Sequence, residues 1–102
     1  MLDIFEVSRD FKLDDINSNS LNLVSNIDLA DFFKVDLAIQ KLNKAFNIEF
    51  SYFEDFIMNI SMIEEFIKIF KNASIDKAEK SRWLTLLETA TKNGNSLYFV
   101  CD

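Results

Sequence analysis

A single glycine, Gly94, and no proline in 102 residues narrow the folds open to this chain more than any other feature. Sandwiches and propellers turn often, and their turns need Gly for positive φ and Pro for preset φ. This chain cannot supply them, so long helices joined by few turns, with a small sheet, are expected. One glycine also cannot make either glycine-rich phosphate loop, G-x-G-x-x-G or G-x-x-x-x-G-K.

Other absences remove whole chemistries. Histidine is missing and Cys101 is the only cysteine. Serine triads, Cys–His dyads, His- or multi-Cys zinc sites and internal disulfides are therefore out. Cys101 sits in an apolar run and reads as a small buried hydrophobe. Eleven Phe, two Tyr and Trp83 supply enough ring area to hold a small core, with a few rings available for a contact patch. The length suits one domain, 1–102.

Periodicity places the elements. Leu2–Val7 reads as a strand. The Asn17-Ser18-Asn19-Ser20 cluster reads as a loop, because these side chains compete for backbone hydrogen bonds. Leu29, Phe32, Val35, Ile39, Leu42 and Phe46 recur at helical spacing and predict one helix over 26–46, capped by Ser25 together with Asp28 and stopped at Asn47. Residues 48–53 alternate as a half-buried strand, although Ser51-x-x-Glu54 also fits the start of a helix. A short helix follows at 54–59. Ser61-x-x-Glu64 opens another helix to about Asn72, striped by Met62, Ile63, Phe66, Ile67 and Phe70. Ser74 or Asp76 caps a last helix to about Lys92, striped by Ile75, Ala78, Trp83, Leu86, Leu87 and Ala90, and Gly94 ends it in the left-handed conformation. Residues 96–101 are a continuous apolar run, expected as a central strand. The expected fold class is α+β, with three to four helices on a sheet of two to three short strands.

Charge bears on function. Seventeen acids against 11 bases give −6. Residues 1–36 hold eight acids and three bases, and no base lies between Glu49 and Glu65. Nucleic-acid binders need a basic footprint to release phosphate counterions. A field of the opposite sign repels nucleic acids and anionic membranes and attracts basic proteins. The candidate partner-binding residues are Asp14, Asp15, Asp28, Asp31, Glu49, Glu54, Asp55, Glu64 and Glu65. None forms a spacing that singles out a catalytic pair, since adjacent acids on a helix point about 100° apart. No catalytic residue, metal site, cofactor or small-molecule ligand is expected. The start, Met1-Leu2-Asp3-Ile4-Phe5-Glu6, lacks the pattern of a signal peptide, and no run approaches the ~20 apolar residues of a membrane span. The expected location is the cytoplasm.

The segment from Lys80 to Asp102 resembles the end of barstar-type inhibitors of secreted nucleases. An amphipathic helix (Trp83-Leu84-Thr85-Leu86-Leu87-Glu88) is followed by a polar break with Gly94 and an apolar terminal strand (Leu97-Tyr98-Phe99-Val100-Cys101). In size and sign the whole chain is similar to immunity proteins of bacterial toxin systems, including contact-dependent inhibition. The aromatic–Gly–x–Asn–Leu motif of barstar-type binding helices is absent, so no binding residue is carried over. The resemblance implies an inhibitor that blocks a basic toxin domain, with a nuclease as the expected class of toxin, by means of an acidic surface. The alternative is an acidic regulator or phage anti-defence protein that binds a nucleic-acid-handling enzyme.

Overall fold

The computed structural model describes residues 1–12 and 21–101. The described elements are β1 (Leu2–Ser8), β2 (Asn22–Ile27), α1 (Leu29–Phe33), α2 (Asp36–Phe46), β3 (Phe56–Met58), α3 (Ile60–Asn72), α4 (Lys77–Asn93) and β4 (Asn95–Cys101). The class is α+β: four helices and one antiparallel four-stranded sheet in the order β2-β1-β4-β3.

The register explains which sheet face carries the core. Ile4 pairs with Phe99 and Leu2 with Cys101, while Phe99 pairs with Phe56 across to β3. Side chains alternate along a strand, so Leu2, Ile4, Leu97, Phe99 and Met58 point to one side. All five are fully buried and pack with helix residues such as Leu42, Ile63, Phe66 and Leu87. Trp83 lies at the centre of this layer. Its ring stacks on Phe70 at 5.6 Å and on Phe99 at 6.2 Å, and meets Phe66 edge-on at 5.6 Å. The opposite face presents Phe5, Val7 and Tyr98, with Phe11 folded back to 5.3 Å from the Tyr98 ring.

The helix ends follow local chemistry. Asp28, Asn59 and Asp76 are N-caps whose side chains accept from the backbone N–H three residues on, which satisfies an amide that would otherwise have no partner. Asn47 (φ 54°) and Gly94 (φ 69°) take the left-handed conformation that ends α2 and α4. Lys80 donates to the carbonyls of Lys71 and Ala73 at the end of α3.

Several expectations are corrected. The sheet has four strands rather than two to three. β2 was hidden because its register shifts between Ile4 and Phe5, leaving Val24 as an extra residue; a bulge breaks the two-residue period. The helix expected over 26–46 begins only at Leu29, since Asn26 and Ile27 belong to β2 and Asp28 alone is the cap, and it is two helices because the chain turns at Lys34-Val35. Residues 48–53 form neither a strand nor a helix, and 56–58 within the expected short helix is strand β3. Asn59, not Ser61, caps α3. Ala78 is exposed, and Cys101 is half-buried rather than sealed in the core. The Asn17–Ser20 loop lies outside the described residues.

Candidate functional site

The nine acids singled out by sequence do not share one surface. Asp14 and Asp15 lie outside the described residues. Asp28 has a capping role, its Oδ1 accepting from the Asp31 amide at 2.8 Å. Asp31 is paired with Lys34 (3.2 Å) and with Arg82 (3.6 Å), so its charge is matched. Glu64 lines a shallow groove between α3 and α4 with Lys68, Lys71 and Lys92, where cations outnumber acids, while Glu65 is half-buried on α3. Glu49, Glu54 and Asp55 remain together in the α2–β3 connection, all exposed.

That connection is irregular but tightly held. Asn47 turns the chain, and the Ile48 N–H donates to the Asn43 carbonyl at 3.0 Å. The Asn43 side chain then grips Phe50 from both sides. Its Nδ2 donates to the Phe50 carbonyl (3.0 Å) and its Oδ1 accepts from the Phe50 N–H (2.9 Å). A side-chain amide thus supplies both bonds that a neighbouring strand would give. It meets the rule that buried backbone polar groups find partners. The Phe50 ring is 2% exposed and contacts Phe32, Phe56 and Phe99.

Beyond this anchor, Tyr52 packs edge-on against Phe32 at 5.6 Å and against Phe53 at 5.4 Å. The Phe53 N–H donates to the Ser51 hydroxyl. Phe53 itself is 65% exposed, the most exposed large apolar side chain among the described residues. At the far end, Asp55 Oδ1 accepts from the Cys101 N–H at 2.8 Å and ties the segment to the end of β4. The Tyr98 hydroxyl is held above its usual pKa by burial and, second, by Asp55. None of the ion pairs among the described residues involves 49–55. The segment is therefore a fixed acidic platform with one projecting ring.

Compared with family models, curated proteins and solved structures, the chain matches none. Among the described residues, no group of three or more His, Cys, Asp or Glu is arranged to hold a metal ion. No helix among them is long and apolar enough to cross a membrane.

The contributions of Asn43 and Phe53 were not legible in the sequence. Phe53 is one of eleven Phe in the sequence, and nothing in its neighbours marks it as exposed. Asn43 showed only as a polar position on a helix. The Asn47 stop signal was the one local hint that the chain must reverse there.

Proposed function

We propose that this protein works by binding a basic protein, and that the 49–55 platform is its principal contact surface. The observation that carries the reading is the exposed Phe53 ring on a segment clamped by Asn43 and flanked by the unpaired carboxylates Glu49 and Glu54. Binding surfaces concentrate their energy in a few aromatic anchors surrounded by polar groups. A segment already held in place loses little freedom on binding. Carboxylates without a counter-ion speed encounter with a cationic surface, and an exposed ring can also receive a Lys or Arg head on its face.

An inhibitor of a basic toxin fits these properties. Phe53 would enter a depression beside the toxin's active site, and Glu49 and Glu54 would occupy positions otherwise taken by substrate phosphates. A nuclease is the natural class of toxin for that chemistry. The chain's resemblance to immunity proteins supports the same reading. An acidic regulator of a nucleic-acid-handling enzyme would use the same surface and differ in its partner.

The test is affinity capture from the native host with the parent chain and with Phe53→Ala and Glu54→Lys. Both positions are exposed, so both variants should keep their thermal stability. Retention of a basic protein by the parent and its loss in each variant is the expected result, with an association rate that falls as salt rises. A partner held equally well by both variants, or an association rate insensitive to salt, would count against the platform.

A further inference from the structure

A second feature lies where α4 covers β1 and β2 and concerns Glu6. This residue points to the helix side of β1, in line with Leu2 and Ile4, and retains only 9% of its surface. A carboxylate is costly to place there unless its oxygens are satisfied. Glu6 Oε1 accepts from Asn93 Nδ2 at 2.8 Å and from Asn95 Nδ2 at 2.7 Å. These bonds fasten the α4–β4 turn to β1 and account for one oxygen. Among the described residues no donor reaches Oε2.

Glu6 lines a cleft of about 380 Å³ between β2 and α4. With Oε1 taken up, Oε2 is the oxygen it can offer there. The bulge in β2 brings two successive residues, Val24 and Ser25, into the strand-side wall. Thr85 and Leu86 stand in the helix-side wall with Arg82. The charge of Arg82 is already met by Asp31 and Glu79, each at 3.6 Å, and its N–H groups also reach Ser25 Oγ and the Asn26 carbonyl. Among the described residues, Glu6 is thus the charged side chain of the cleft that has no ionic partner. The volume falls within the range of small-molecule sites, which combine apolar walls with a few placed polar groups.

We propose that this cleft binds an alkylammonium group. The cation sits on Glu6 Oε2, its carbon chain lies over Val24 and Leu86, and the hydroxyls of Ser25 and Thr85 take its remaining N–H bonds. The site is independent of the 49–55 platform, because β2 and β3 are opposite edges of the sheet.

The experiment is an NMR titration of the ¹⁵N-labelled chain with 1,4-diaminobutane and, separately, with Nα-acetyl-lysine amide. Saturable shifts centred on the amides of Glu6, Ser25 and Thr85 are expected, and none with 1,4-butanediol. Glu6→Gln keeps an oxygen to accept from Asn93 and Asn95 but removes the charge. It should weaken binding by about tenfold or more, the loss expected for one charged hydrogen bond. Thr85→Leu, at an exposed position, narrows the cleft without touching Glu6 and should also weaken binding. Tighter binding of the diamine identifies a free amine as the ligand, and tighter binding of the blocked lysine identifies a protein side chain. Undiminished binding in both variants, equal binding of the diol, or no saturable shifts with either amine would overturn the proposal.

Discussion

Replacing Asn43 by Ala tests how the 49–55 platform is held. The Asn43 side chain makes two hydrogen bonds, at 2.9 and 3.0 Å, to the backbone of a residue whose ring is buried. A lost hydrogen bond costs about 1 kcal/mol net, and more when the abandoned group stays out of water. Two such bonds amount to about 2–3 kcal/mol. Ala is a better helix residue than Asn by roughly 0.5 kcal/mol, which leaves a net loss of about 1.5–2.5 kcal/mol. For a domain of this size that corresponds to a drop in Tm of about 6–20 °C. Urea unfolding followed by the emission of Trp83, the sole tryptophan, measures the energy. Hydrogen exchange at the Phe50 amide measures the local effect, and this amide should lose protection while those in α3 keep theirs. A loss under about 0.5 kcal/mol, or unchanged exchange at Phe50, would show that burial of the Phe50 ring alone holds the segment.

Three further perturbations probe the scaffold. Burial, reinforced by Asp31 and opposed by Arg82, lifts the Glu79 carboxyl above its ordinary value of 4.5. An acid with a raised folded-state pKa stabilises fully below its unfolded value and loses that contribution as pH rises through the folded one. Glu79→Gln should therefore be more stable than the parent near pH 7, and the gap should close as the pH is brought below 4.5, measured by urea unfolding across that range. Trp83→Ala removes a fully buried ring packed on Phe66, Phe70 and Phe99 and should cost about 3–5 kcal/mol by circular dichroism melts. Gly94→Ala should cost about 1 kcal/mol from the left-handed backbone alone, since no atom lies within 4 Å of an added Cβ; Gly94→Asn should cost less in the same melts.

Local physics along the chain accounts for the features that could be read from sequence alone. The left-handed stops at Asn47 and Gly94, a cap for α4 at Ser74 or Asp76, and the burial stripe through Phe66, Phe70, Trp83 and Leu87 all depend on residues within a few positions of one another. The central position of β4 followed from its unbroken apolar run. The tertiary structure alone decided the rest. β2 is a strand because β1 lends it a ladder, and its bulge erased the alternation that would have marked it. Residues 48–53 have the pattern of a strand, but Asn43 satisfies Phe50 from the side and no strand pairs there. Negative charge was visible in the chain, yet its distribution was not. Asp31 is matched by Lys34 and Arg82, the latter 51 positions away, whereas Glu49 and Glu54 stay unpaired. Sequence counts the charges, but the fold decides which of them meet, because ion pairing depends on distance in space rather than along the chain.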